Sequence, residues 1–268
     1  MSACRHMRVR PDEGKVGQHC ARRTRRPHRL RDRVITAVAV LLITAGVAVI
    51  VAPLVAQWLY ARQSEAGAEQ FERHSKDLRA GDAERLAELL AAMRQYNQRL
   101  DDEGQAGLKD AWSYEKPSFR LSDWGIDSEV AGYLRVPRMG VTLPIYLGAT
   151  KENMSKGAVQ LSQTSLPVGS WHGSSNNTVI AAHRNHWAAG LFHDIDKMQP
   201  GDPVYVENLW GTLEYRVVGT RVITPSDIAA VKIQPGKDML TLISCHPLYH
   251  NYQRFVVYCE LVDSDMPK

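Results

Sequence analysis

An apolar segment near the N-terminus is the feature that most constrains how this chain can be arranged. Residues 34–56 carry no charged side chain and are almost wholly apolar over 23 positions. As a helix rising about 1.5 Å per residue, they reach about 34 Å, enough to cross a hydrocarbon core of about 30 Å. Trp58 and Tyr60 follow where an interfacial aromatic belt would lie. The segment predicts one membrane-spanning helix.

The distribution of charge predicts the orientation of that helix. Residues 1–33 carry 11 lysines and arginines against three acidic residues, whereas the rest carries 22 basic and 26 acidic residues. Because basic flanks stay in the cytoplasm, the tail 1–33 is predicted to be cytoplasmic and everything beyond Arg62 extracytoplasmic. Clustered arginines also suit nucleic acid, but beside a span they favour a topology signal and an attraction to anionic lipid. No nucleic-acid partner is therefore predicted.

A cleaved signal peptide is the alternative interpretation of this segment. The apolar region of such a peptide is usually about 7–15 residues long, and this one is longer. We therefore expect an uncleaved signal-anchor at 34–56 and a single-pass protein of the cell membrane.

The next segment, 57–100, predicts a helical spacer. It is charged and alanine-rich, and apolar residues recur in it at steps of three and four, which indicates an amphipathic helix interrupted near Gly81-Asp82. The stripe lasts only a few turns, so we expect it to pack on a globular domain rather than form a free-standing coiled coil. Its members are Leu86, Leu89, Leu90, Met93 and Tyr96.

Residues 130–263 predict a mostly β domain. Short strand-like runs follow one another closely and are punctuated by proline and glycine, which is typical of a mostly antiparallel barrel. Two short helical stretches are predicted near 151–157 and 191–198, and the polar, turn-rich residues 101–129 should form a loop or lid over the domain. The runs are 132–136, 141–147, 178–182, 204–209, 213–223, 239–244 and 254–262.

Three residues at the ends of these strands form a candidate catalytic set. The apolar run 239–244 ends at Cys245, Arg254 opens the following run, and His183 follows the run 178–182. A thiolate can attack a carbonyl, an imidazole can move a proton, and a cation can steady the oxyanion, which suits acyl transfer. Taken singly, each residue also has a structural interpretation, since a cysteine in an apolar strand is usually an inert small hydrophobe.

Together these segments resemble the sortase family, which carries T-L-x-T-C-x-P, then an R-x-x-V strand, with a G-H-R type histidine upstream. The corresponding segments here are Thr241 to Pro247, Arg254 to Val257, and Ala182-His183-Arg184. Ser244 replaces the usual threonine and Ala182 the glycine, and neither change removes a reacting group. The resemblance runs from about 132 to 261 and implies a closed β-barrel of about eight strands with short helices, preceded by the transmembrane and spacer helices.

The resemblance also implies an activity. A sortase is a cysteine transpeptidase that cleaves an LPxTG-like sorting signal between threonine and glycine. Cys245 would hold the acyl group as a thioester, His183 would transfer protons, and Arg254 would stabilise the oxyanion or position the substrate. This chemistry needs no cofactor.

Two features resemble the pilus-assembly sortases, class C. Tyr96 to Leu100 matches the Y-N-x-x-L that ends their N-terminal helix, and Asp110-Ala111-Trp112 is similar to their Asp-Pro-aromatic lid, with alanine at the proline position. The implied lid residues are Asp110 and Trp112, with Asp123-Trp124 a second candidate. The implied partners are LPxTG-containing surface or pilin proteins, and a pilin lysine as the amine.

Three alternatives stay open from the sequence. A housekeeping sortase would use a cell-wall precursor amine, a hydrolytic cysteine protease would use water, and a membrane-tethered binding module would do no chemistry. The histidines, among them His183, His186 and His193, also allow a zinc site, but no H-E-x-x-H is present and no metal is predicted. Of the four cysteines, Cys245 and Cys259 are expected to be thiols, since oxidation would inactivate the nucleophile.

Overall fold

A computed structural model of the chain describes residues 28–109, 116–170, 173–184 and 189–267. The chain divides into two compact units, residues 1–49 and 50–268. In the first unit the described residues belong to helix α1, His28–Gly81, and their side chains are exposed from Leu30 onward. Among the described residues, α1 is the one helix long and apolar enough to cross a membrane.

In the second unit, the rest of α1 and a second helix pack on a β-barrel. Helix α2, Ala83–Asp102, begins two residues after α1 ends, at the interruption predicted for Gly81-Asp82. Trp210 ties both helices to the barrel, because its carbonyl accepts a 2.6 Å hydrogen bond from the Arg79 guanidinium and its indole N–H donates to the Leu86 carbonyl at 3.0 Å. The predicted apolar stripe of α2 is buried throughout: Leu86, Leu89, Leu90, Met93 and Tyr96.

Eight strands form a closed barrel, which confirms the predicted fold class. Their order around the barrel is β1-β2-β3-β4-β7-β8-β6-β5. Two pairings are parallel, β2 with β3 and β4 with β7, and the others are antiparallel. The strands are β1 Val130–Val136, β2 Val141–Leu147, β3 Ala158–Gln160, β4 Asn176–Ala181, β5 Pro203–Asn208, β6 Thr212–Ile223, β7 Asp238–His246 and β8 Gln253–Ser264.

The short helical elements are less extensive than the sequence predicts. Helix α3, Lys151–Lys156, lies where expected, and the Thr150 hydroxyl caps it. The stretch 191–198 is helical only as a 3-10 turn at Ile195–Lys197. Its first residue, Leu191, has φ of +27°, outside the right-handed helical region, so the backbone here turns instead of continuing a helix.

One buried asparagine joins α2 to the barrel. Asn97 is 3% exposed, and its amide oxygen accepts a 2.7 Å hydrogen bond from the Leu166 N–H while its amide nitrogen donates to the Leu166 carbonyl at 3.1 Å. The Leu166 carbonyl also accepts from the Thr178 hydroxyl and the Val168 N–H. Loss of the Asn97 side chain would therefore take away the acceptor of the Leu166 N–H, whereas the Leu166 carbonyl would keep two other donors.

Replacing Asn97 with alanine should destabilise the fold, because a buried N–H left without its acceptor costs about 1–3 kcal/mol. We expect the free energy of unfolding of the full chain in detergent, measured by urea titration, to fall by that amount. Gln98→Ala is the matched control, since Gln98 is exposed and its amide donates to the Asp102 carboxylate on the same helix. Equal stability of the two variants would contradict the proposed role of Asn97.

Candidate active site

Cys245 and Arg254 face each other across two neighbouring strands. They are directly paired in the antiparallel ladder of β7 and β8. Two residues earlier on β7, Ile243 pairs with Val256, and both side chains belong to a buried cluster on the outer face of the barrel. Because side chains alternate between the two faces of a strand, Cys245 and Arg254 lie on this same outer face.

His183 reaches the same place from β4. This strand runs parallel to β7, and Ala181 pairs with Ile243, both in the outer cluster. Beyond the last ladder pair, the Ser244 hydroxyl still donates a 2.6 Å hydrogen bond to the Ala182 carbonyl. The backbones therefore stay aligned for one further residue, and His183 follows Ala181 by two positions, as the cysteine follows Ile243. The fold therefore brings residue 183 level with the strand end that carries Cys245 and Arg254.

Arg254 is anchored to the loop between β7 and β8. It is 9% exposed, and its Nη1 donates hydrogen bonds to the carbonyls of Asn251 at 2.7 Å and Gln253 at 3.0 Å. These contacts restrict the rotamers of a long side chain, so the guanidinium is held beside the thiol. A cation whose position is fixed before the reaction can stabilise developing negative charge, because the cation need not move as the charge forms.

Burial and cations act in opposite directions on the thiol. Cys245 is partly buried, and burial raises its pKa, while the charges of Arg254 and then Arg184 lower it in part. Burial is the larger effect, so the net shift of the Cys245 pKa is upward. A thiol whose pKa is raised needs a base to take its proton before it attacks a carbonyl, and His183 is the candidate for that task.

The other described cysteine has a different environment. Cys259 pairs with Leu240 and is fully buried in the barrel interior, where desolvation raises the pKa of its thiol. Both Cys245 and Cys259 are free. They lie on opposite faces of the sheet, as the alternation of side chains predicts.

Arg184 is the residue whose importance the sequence did not reveal. In the sequence it is simply the residue that follows His183. In the structure its side chain is 2% exposed and forms a 2.5 Å ion pair with Asp196. Its guanidinium also lies 3.0 Å from Nδ1 of His246, beside the cysteine. A fully buried arginine is rare unless it is paired, and only burial, which the sequence does not display, distinguishes it.

The predicted lid residues, Asp110 and Trp112, lie outside the described residues. The second candidate is described and lies in a 3-10 turn, Leu121–Trp124. There Trp124 stacks on Phe119 with nearly parallel rings and packs in the cluster that contains the buried stripe of α2. Trp124 therefore packs against the same apolar cluster as α2.

A large groove elsewhere in the described residues does not mark the candidate site. It holds about 970 Å³, runs along α2, and is lined mostly by apolar groups such as Leu86, Leu90 and Trp210. None of the three candidate catalytic residues lines it. Convergence of reactive groups, rather than volume, therefore identifies the site.

No metal centre is present in the described part of the chain, where no three His, Cys, Asp or Glu side chains come together closely enough to hold an ion. Of the three histidines named for the zinc interpretation, His183 and His193 are described, whereas His186 lies outside the described residues.

Adjoining strand ends of this barrel carry a cysteine, a histidine and an arginine, the side-chain types that cysteine-dependent acyl transfer uses. The sortase domain family matches residues 134–262. A solved pilus-related sortase C of Group B Streptococcus is 31% identical, with a TM-score of 0.64 over 73% of this chain and 97% of that one. A lid mutant of Streptococcus agalactiae sortase C1 is 28% identical, with a TM-score of 0.61 over 73% and 97%.

Among curated proteins, sortase A of Bacillus anthracis is 26% identical over 174 residues, which are 64% of this chain and 80% of that protein. The chain belongs to the sortase family of cysteine transpeptidases. Members of this family act on surface proteins that carry sorting signals. The solved structures it matches include pilus-related class C sortases.

Proposed function

We propose that this protein is a membrane-anchored pilus-type transpeptidase. It cleaves an LPxTG-like signal between threonine and glycine and transfers the acyl group to a pilin lysine. The observation that carries the chemistry is the Cys245–Arg254 ladder pair, with His183 at the matching end of the parallel strand β4. The similarity over 97% of a pilus-related sortase C supports the choice of acceptor.

In the proposed reaction, Cys245 attacks the threonine carbonyl as its proton passes to His183. Arg254 stabilises the oxyanion, and collapse of this intermediate breaks the C–N bond to glycine as His183 protonates the departing amine. The product is a thioester on Cys245. An incoming lysine amine then attacks the thioester, passes its proton to His183 and leaves as an isopeptide, which restores the thiol.

Mass spectrometry of the full chain in detergent tests this function. Incubated with an LPxTG peptide, the protein should gain the mass of the acyl fragment on the peptide that contains Cys245. A lysine-bearing pilin peptide should then convert the adduct to amide product faster than water converts it to acid. Preference for a cell-wall stem-peptide amine would identify the housekeeping alternative, and release of acid alone would identify a hydrolase. Absence of any adduct would refute the mechanism.

The proposed location follows from the span and the flanking charge. We place the tail 1–33 in the cytoplasm, the anchor at 34–56 in the bilayer, and the spacer 57–100, the loop 101–129 and the barrel 130–263 outside. Protease added to intact cells should digest residues beyond Arg62 and spare an N-terminal tag. Digestion of the tag, or a mature form that starts after Ala56, would contradict this topology.

We also propose a lid formed by Asp110 and Trp112. Trp112 would cover Cys245 and Asp110 would lie near the Arg254 cation; a lid is a named feature of the similar sortase C1. Burial of a large side chain contributes about 1.5–3 kcal/mol, and a contact between Asp110 and Arg254 would add to it. Together they hold the site mostly closed, with the open form a minor population that substrate selects.

Opening this lid should speed the alkylation of Cys245. Trp112→Ala should raise the rate with a small neutral thiol reagent about tenfold or more, because covering by the ring is the larger contribution. Asp110→Ala should raise it less, and the circular dichroism spectrum should not change. Asp123→Ala and Trp124→Ala are the matched controls and should leave the rate unchanged. Equal rates in wild type and the Trp112 variant would show that this segment is not a lid.

A further inference from the structure

Residues 182–184 depend on contacts beyond the β-ladder for their position. Strand β4 ends at Ala181, so His183 lies past the last ladder pair. Two side-chain contacts bridge from this segment to the end of β7. The Ser244 hydroxyl bonds the Ala182 carbonyl at 2.6 Å, and the Arg184 guanidinium lies 3.0 Å from Nδ1 of His246.

These two contacts lie on the face opposite the candidate catalytic groups. Alternation along β7 places Ser244 and His246 on the face of Leu242, whose side chain belongs to the barrel interior, while Cys245 lies on the outer face. One contact involves Ala182 and the other Arg184, the residues immediately before and after His183. They therefore connect the backbone around His183 to the backbone around Cys245, and they do so from the face opposite the thiol.

Arg184 is held by a third segment too. Its carboxylate partner is Asp196 at 2.5 Å, and its Nε donates to the His193 carbonyl at 3.2 Å. In return, Nδ1 of His193 lies 3.3 Å from the Arg184 carbonyl. One buried guanidinium thus joins the segment after β4, the turn 193–196 and the end of β7. Because arginine stays charged and presents its donors in a rigid fork, it can satisfy several acceptors in one geometry.

The same contact determines the tautomer of His246. A guanidinium has donors only, so Nδ1 of His246 must accept the hydrogen bond and the ring proton must lie on Nε2. Burial, followed by the Arg184 charge, lowers the pKa of His246, which agrees with a neutral ring. The ring also packs against Phe255 at a centroid distance of 5.7 Å, which restricts its orientation.

We propose that Arg184, paired with Asp196 and with the neutral ring of His246, is a positioning clamp that sets the separation of His183 and Cys245 for acyl transfer. The inference rests on the proposed function and deepens it. Arg184 acts through the segments it joins and is not itself a catalytic residue. Loss of the clamp lets the imidazole and thiol drift apart, and small misplacements of reacting groups cost large factors in rate.

A pair of variants at His246 gives the sharpest test. Leucine and asparagine are similar in size, but asparagine places an acceptor oxygen where Nδ1 lies and leucine does not. With the full chain in detergent and an LPxTG peptide, His246→Leu should lower kcat for thioester formation about tenfold or more with KM within threefold. His246→Asn should stay within threefold of wild type. A role in packing alone would not distinguish these two variants in this way.

Two further variants test the arginine side of the clamp. Arg184→Met keeps the length of the side chain but removes the charge and donors, and it should lower kcat about 100-fold. Asp196→Asn should lower it less, since the acceptor oxygen is kept. If Arg184→Met fails to fold, as judged by its unfolding temperature, the His246 pair still decides.

The possible outcomes separate the clamp from the proposed function. If His246→Leu acylates at the wild-type rate, the clamp is overturned. If Cys245→Ala is inactive in the same assay, the proposed function still stands. An active Cys245→Ala variant would refute the function itself. Equal losses in His246→Leu and His246→Asn would also overturn the clamp, because the acceptor would then not matter.

Discussion

Replacement of Cys245 with alanine is expected to abolish thioester formation and lower turnover by about 10⁴-fold or more, since the variant lacks the thiol that carries the acyl group in the proposed reaction. His183→Ala should lower turnover by about 10²–10⁴-fold, the usual range for general acid–base catalysis. The double variant should be hardly slower than Cys245→Ala, because residues that act as one unit are not additive. Peptide turnover, followed by chromatography of cleaved and amide products, measures all three.

Cys259→Ala is the matched control for this series. Its thiol lies in the barrel interior, away from Arg254, and its loss should affect stability rather than chemistry. Turnover should therefore stay within a few-fold of wild type at temperatures where the variant is folded. Near-normal product from Cys245→Ala would refute the mechanism, and additive losses in the double variant would show that His183 acts on a different step.

Arg254→Lys should lower turnover by about 10²–10³-fold even though the charge is kept. An ammonium lacks the planar fork of donors, and removal of one oxyanion donor has a cost of this size in other acyl-transfer enzymes. The lysine variant also loses part of the anchoring to Asn251 and Gln253. Arg221→Lys is the control, since Arg221 lies on β6 in an exposed contact with Asp227 and should tolerate the change.

Alkylation of the thiol separates the two roles of this arginine. The Arg254 cation lowers the pKa of Cys245, so Arg254→Met should raise that pKa and slow alkylation at a fixed pH below it. Arg254→Lys keeps the charge and should alkylate at nearly the wild-type rate while its acylation fails. Equal loss of both reactions in the lysine variant would mean that position 254 acts through the charge on the thiol alone.

The sequence predicted much of this arrangement because the relevant signals are local. Residues 34–56 form an apolar segment of bilayer length, and the structure contains a matching helix there. The periodicity of α2 marked a stripe that is buried, and seven of the eight strands follow runs that the sequence displays. The missed strand, β3 at Ala158–Gln160, has three residues, too few for any period to be visible.

The sequence by itself predicted the candidate reacting groups and their order, His183, Cys245 and Arg254, together with the strand ends on which they lie. Only the tertiary structure decided which strands are neighbours. The parallel pairing of β4 with β7 places residues 62 positions apart at one strand end, and neither strand's own sequence specifies which strand it pairs with. The tertiary structure likewise decided that Arg184 is buried, because burial depends on the segments that pack over a residue and not on the residue itself.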